Sequence, residues 1–131
     1  MPKAIRADVS ALSALSEGER RALAAFLAGL QEQYAQHVAE VILFGSRARG
    51  EGGEESDVDL LVLVRSEDWH LWWDIPALAA RSSLAEGRSG VLSAKVMSTR
   101  HYARLARLQS PLYRSVRSDG VLLWRNPSMK T

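Results

Sequence analysis

Two apolar runs, Val38–Phe44 and Val58–Val64, constrain this chain more than any other feature. Each is seven residues long, rich in Val, Leu and Ile, and bounded by polar or glycine-containing stretches, the pattern of a buried strand. Helical patterns surround them. Ser16 and Glu19 have the spacing of a capping box, and Leu23, Phe26, Leu27, Leu30 and Tyr34 recur at helical intervals, which predicts an amphipathic helix over about 17–37. Ser66 to Ala85 reads as helical but interrupted, because Pro76 has no amide to donate and suits a first turn, with Asp74 as the cap of a restart. Val91 to Met97 predicts a third strand, and Ser98 or Thr99 caps a helix from Arg100 to Leu108. Pro111 starts another helix that stops at Asp119-Gly120, and Val121 to Trp124 ends the pattern as a short edge strand. This order predicts an α/β (α+β) fold, a small mixed β-sheet with helices packed on it.

At 131 residues, 47% of them hydrophobic, the chain has room for one core and none for a separate substrate or finger domain. The expected division is a loosely ordered lead-in over 1–15, one domain over 16–125 and a tail over 126–131. No basic-then-apolar leader and no apolar run near the ~20 residues that span a bilayer occur, so a cytoplasmic protein with no membrane partner is expected. The lack of cysteine excludes disulfides, thiolate metal sites and cysteine nucleophiles. The net charge of +2 conceals a skew, with 6 basic and 10 acidic residues up to Val64 but 11 basic and 5 acidic from Arg65 on. The second half is suited to phosphates or an acidic partner.

Between the two apolar runs stands "LFGSRARGEGGEESDVDLLVLV". A Gly-Ser turn after a strand presents backbone N–H groups and a hydroxyl to an anion, glycine lets a phosphate approach the backbone, and Arg47 and Arg49 add positive charge beside Gly45 and Ser46. Asp57 and Asp59 flank one valine at the start of the second strand, so both carboxylates share a face. Like charges so placed repel unless a cation or proton sits between them, and Mg²⁺ prefers such oxygen ligands. Taken singly these are ordinary: aspartates start strands, Gly-Ser is common, and "SRARG" reads as a solvated basic turn. Gly45-Ser46, ten intervening residues and Asp57-x-Asp59 between two buried strands form a far more specific pattern.

With its flanks "LFGSRARG" and "SDVDLLV", this pattern resembles the minimal nucleotidyltransferase family of the DNA polymerase beta-like superfamily. The likeness is dense over about 38–65 and follows the order of elements from Leu12 to Trp124. It implies a nucleotidyltransferase core in which Gly45 and Ser46 bind the phosphates of a nucleoside triphosphate, ATP the expected one, while the catalytic pair Asp57 and Asp59 holds Mg²⁺. The implied reaction is transfer of a nucleotidyl group to a hydroxyl of a protein or other acceptor, with pyrophosphate leaving and two metal ions stabilising the attacking and leaving oxygens. It further implies a helical partner of the "higher eukaryotes and prokaryotes nucleotide-binding" type, in toxin–antitoxin fashion. A homo-oligomer stays open.

Active members of the superfamily carry a third carboxylate on the next core strand. Here that strand, "VLSAKVM", has Ser93 and Lys95 instead, and lysine repels a second cation at close range. Two classes therefore stand side by side: an enzyme, and a non-catalytic nucleotide-binding or antitoxin-like subunit. Trp69, Trp72 and Trp73 share one side of a helix, where core packing is the plainer expectation, a partner surface the sharper one and base stacking the weakest. Arg100, Arg104 and Arg107 stripe one side of their helix opposite Tyr102 and Leu105, the pattern of a solvated face, and nucleic acid is not an expected partner. His37, His70 and His101 have no ligand spacing with any acid.

Overall fold

The computed structural model describes residues 12–51, 57–87 and 91–126, together with the backbone of 5–6. Most of the expected lead-in, loop residues 52–56 and the tail from 127 on lie outside the described residues. The elements in chain order are β1 (Ile5–Arg6), α1 (Glu17–Gln33), β2 (Val38–Phe44), β3 (Val58–Val64), α2 (Leu71–Leu84), β4 (Leu92–Ser98), α3 (Thr99–Arg107), α4 (Pro111–Asp119) and β5 (Val121–Arg125). They form one mixed sheet in the order β1-β5-β2-β3-β4. β3 and β4 are parallel, joined by the α2 crossover that such a pair needs, and the other pairs are antiparallel. Among the described residues no helix is long and apolar enough to cross a membrane.

The two apolar runs are the strands expected of them, and alternation sorts their side chains into two cores. Val58, Leu60, Val62 and Val64 pack with Val41 and Leu43 beneath Leu23, Phe26, Leu27 and Leu30 of α1 and Ile75 and Leu78 of α2. On the other face Leu61 and Leu63 join Ile42 and Met97 beneath Val116 of α4, with Tyr102 and Leu105 of α3 at the rim. Each fully buried Leu, Ile, Val or Phe contributes about 1.5–3 kcal/mol relative to exposure, so these runs hold the sheet together. Antiparallel register sets Phe44, the last residue of β2, opposite Asp59. The turn leaving β2 and the carboxylates entering β3 thus share one end of the sheet.

Three expectations need correction. α1 stops at Gln33, not near residue 37, because the chain turns at Tyr34 and the His37 and Val38 amides fold back onto the Tyr34 carbonyl. α2 does not restart at Asp74: it begins at Leu71 and runs through Pro76, whose missing amide leaves the Trp72 carbonyl without its usual donor four residues on. The burial of Leu71, Ile75, Leu78 and Ala79 holds that helix against the sheet and α1 in spite of the proline. β5 is not at the edge either, since it lies between β2 and the two-residue β1. The cap of α3 is as expected, and of the two candidates it is Ser98, accepting from the His101 amide at 3.0 Å.

Candidate functional site

β2 ends at Phe44, and Gly45 makes the exit with φ +82°, a left-handed conformation that costs a residue with a Cβ roughly 1–2 kcal/mol. Its carbonyl then accepts from the Ala48 and Arg49 amides at 3.1 and 3.3 Å, and the Ser46 carbonyl accepts from Glu51 at 2.8 Å. The result is a tight turn over 46–50. Neither the amide nor the hydroxyl of Ser46 has a hydrogen-bond partner among the described residues. Glycine at 45 is also demanded sterically. A Cβ there would stand 2.6 Å from Oδ2 of Asp59, so the carboxylate lies directly against the turn's backbone.

Asp57 is exposed and Asp59 half-buried. Burial, and then the negative charge of Asp57, push the Asp59 carboxyl above its ordinary value of 3.8. Asp57 is thus close enough for its charge to oppose the ionisation of Asp59, as their spacing predicts. Because the folded-state value is raised, ionised Asp59 works against folding, a penalty fully present above that raised value and absent below 3.8. Metal-free Asp59→Asn protein is therefore expected to melt higher than the wild type at neutral pH, with the gap closing on acidification. A pH-independent difference would count against a charge origin.

The parallel register pairs Asp59 with Ser93 and Leu61 with Lys95. Since Met97 of β4 packs with Leu61 and Leu63, Ser93 and Lys95 lie on the Asp59 face. Ser93, level with Asp59, is the nearer equivalent of a third ligand, and Lys95 stands one pair further along. Among the described residues no third His, Cys, Asp or Glu joins the aspartates.

Arg47 does not extend toward an anion as expected. Its guanidinium is buried and pairs with both carboxylate oxygens of Glu19, with Nη1 at 2.9 Å from Oε2, and Nη2 also donates to the Ala14 carbonyl at 2.9 Å. Glu19 meanwhile completes the capping box, accepting from the Ser16 amide at 2.7 Å. The residue beside the Gly-Ser turn thereby anchors the turn to the start of α1. Nothing in local spacing signals this pair, whose members are 28 positions apart. Arg49 stays exposed beside Gly50, and among the described residues its side chain makes long contacts to Glu51 and Asp119 at 3.4 and 3.5 Å.

The tryptophans are not core. Trp69, Trp72 and Trp73 are 64, 38 and 70% exposed, because Leu71 and Ile75 take the inward side of α2. They line a groove of about 690 Å³ whose other wall carries Lys95, Arg100 and Arg104. Of the histidines, His70 stacks on Trp69 at 3.9 Å between ring centroids and His101 also faces this groove.

Comparison with known proteins places the chain in a family and a fold. Residues 23–100 match the family described as "Nucleotidyltransferase domain". A 45-residue stretch is 42% identical to "Putative protein adenylyltransferase MJ0604" of Methanocaldococcus jannaschii, a match spanning 34% of this chain and only 45% of that protein. The fold is similar to the crystal structure of "a putative nucleotidyltransferase from Sulfolobus solfataricus", with a TM-score of 0.53 at 21% identity over 88% of this chain and 90% of that one. A mutant of the toxin–antitoxin pair MntA-HpeT matches at 20% identity over 77% and 71% of the two chains, with a TM-score of 0.45.

Proposed function

This chain belongs to the nucleotidyltransferase domain family, and on that premise we propose that it binds a nucleoside triphosphate, ATP first among them, with Mg²⁺ between the Gly45–Ser46 turn and the Asp57/Asp59 pair, and transfers a nucleotidyl group to a hydroxyl of a protein acceptor. The observation that carries this reading is the closeness of the Asp59 carboxylate to Gly45, which sets the Gly-Ser turn beside the aspartate pair and so supports an anion and its cation binding together. The resemblance to a protein named as an adenylyltransferase of proteins supports the acceptor class.

The residues fit Mg²⁺. Two hard carboxylate oxygen donors share a face at the entry to β3, the Asp59 carboxyl is pushed up by burial and then by the Asp57 charge, and a cation between them removes the repulsion that is part of that shift. Asp57 and Asp59 would hold it, and it would supply charge neutralisation at the phosphates and at the oxygens exchanging on phosphorus. The Ser46 amide and hydroxyl orient the phosphates, and the exposed guanidinium of Arg49 supplies further positive charge. In the transfer itself the acceptor oxygen bonds to the α-phosphorus, the bond from that phosphorus to the α,β-bridging oxygen breaks, pyrophosphate leaves, and the hydroxyl proton passes to a base.

One observation favours a second reading. Ser93 and Lys95, neither a carboxylate, occupy the β4 positions beside the pair, which suits a non-catalytic nucleotide-binding or antitoxin-like subunit paired with a helical partner. Calorimetry with ATP separates binding from its absence: affinity is expected with Mg²⁺ and at least about tenfold less in EDTA. Equal affinity in both would remove the metal from the site. Incubation with radiolabelled ATP and candidate acceptors then distinguishes the two classes, since only the enzyme leaves label on the acceptor.

A further inference from the structure

β4 closes one side of the sheet, and the direction of its backbone groups follows from two hydrogen bonds. The Val91 carbonyl accepts from the Val58 amide of β3 at 2.8 Å, while the Leu92 amide turns away from β3 to the Ser83 hydroxyl at 3.1 Å. Residues of a parallel strand alternate in the side to which they send their N–H and C=O, so Ser93 and Lys95 face β3 whereas Ala94 and Val96 face outward. Among the described residues those outward groups have no partner. Val96 also lines the tryptophan groove, so an open strand edge, an exposed aromatic wall and a cationic wall adjoin.

We infer that this groove docks an extended, acidic segment of a partner protein, which adds to the sheet as a strand along the outer edge of β4. An exposed edge is a template for strand addition, in which main-chain hydrogen bonds give affinity and alternate side chains give specificity. Charge selects the occupant: Lys95, Arg100 and Arg104 stand against the single acid Glu67. Trp72 and Trp73 offer the flat apolar cover that interface aromatics supply. A nucleic acid fits less well. Its phosphates have no donors for the outward carbonyls of Ala94 and Val96, and His70 already occupies one face of Trp69. The inference does not depend on nucleotide transfer, because it uses neither the glycine turn nor the aspartates.

The test uses the full chain with three fluorescein-labelled probes: an acetylated (Glu-Val)₄ amide, its (Lys-Val)₄ counterpart and a twelve-residue oligothymidylate. By anisotropy the acidic peptide should bind at least about tenfold tighter than the basic one, and Arg100→Glu/Arg104→Glu should weaken it about tenfold. Trp69→Ser/Trp73→Ser should weaken it too. The decisive readout is amide exchange, which should slow about tenfold at Ala94 and Val96 on peptide addition while Ser93 and Lys95, already turned to β3, stay unchanged. Failure of the acidic peptide to bind, equal binding of the two peptides, or unaltered exchange at Ala94 and Val96 would each overturn the inference. Oligothymidylate binding that the arginine substitutions abolish, without peptide binding, would make the groove a nucleic-acid surface instead. None of these outcomes bears on ATP affinity, so the two readings fail separately.

Discussion

Arg47→Met is expected to cost the fold about 3–5 kcal/mol, because it strands the fully buried Glu19 carboxylate without its guanidinium partner. That is a large share of the 5–15 kcal/mol on the order of which natural domains are stable. The double substitution Glu19→Leu/Arg47→Met should return most of the loss, since replacing both members of a buried ion pair by apolar groups is often neutral or better. A remainder of about 1 kcal/mol is expected from the Ser16 amide, which loses its acceptor in the capping box. Urea unfolding of the three proteins measures all of this. If Arg47→Met proved as stable as the wild type, the pair would be ornamental. The pH dependence has a definite sign. Burial raises the Glu19 carboxyl, but hydrogen bonds from Arg47 and Ser16 outweigh it and hold the group below its ordinary 4.5. Its contribution is therefore complete above 4.5 and disappears as the pH falls through the lowered folded-state value, a loss the double variant should not show.

Asp57→Asn/Asp59→Asn is expected to remove the Mg²⁺-dependent part of nucleotide affinity, a loss of about 100-fold or roughly 2.7 kcal/mol. Ser93→Asp should act in the opposite direction. Because Ser93 is level with Asp59 across the parallel register, a carboxylate there joins the pair at neighbouring-strand distance, and Mg²⁺ affinity of the nucleotide complex should rise at least about tenfold. Lys95→Asp, one pair further along, should have the smaller effect. Titration of Mg²⁺ against the ATP-loaded protein checks the order. A greater gain from Lys95→Asp would mean that the metal position lies deeper along β3 than Asp59. Robust label transfer by the unmodified chain, lost in Asp59→Asn, would show that two carboxylates suffice.

Much of the fold was legible because its signals are local. The bounds of β2 and β3 coincide with the apolar runs, and the cap of α1 with its Ser-x-x-Glu spacing. The shared face of Asp57 and Asp59 follows from strand alternation alone. What escaped depends on partners distant in sequence. Helical spacing groups the tryptophans but does not say which side of α2 meets the sheet, and Leu71 and Ile75 decided that. Pro76 reads as a break, yet a helix packed along its apolar side tolerates one missing hydrogen bond. Arg47 looks like a phosphate ligand because its type and neighbours are right, and only the folded chain brings Glu19 to it. The two-residue β1 is too short to have a pattern, so β5 reads as an edge.

The double duty of Glu19 makes the first turn of α1 and the glycine turn after β2 a single thermodynamic unit. Linkage is reciprocal: whatever fraction of molecules has the helix start frayed also has the Gly45–Ser46 turn unsupported, and the dissociation constant of the nucleotide proposed to bind there is its intrinsic value divided by the fraction that remains competent. A ligand seated on Ser46 must then protect the amides at the beginning of α1, which it never touches. Substitutions at Ser16, on the far side of the carboxylate, are therefore expected to tune the proposed nucleotide affinity at a distance.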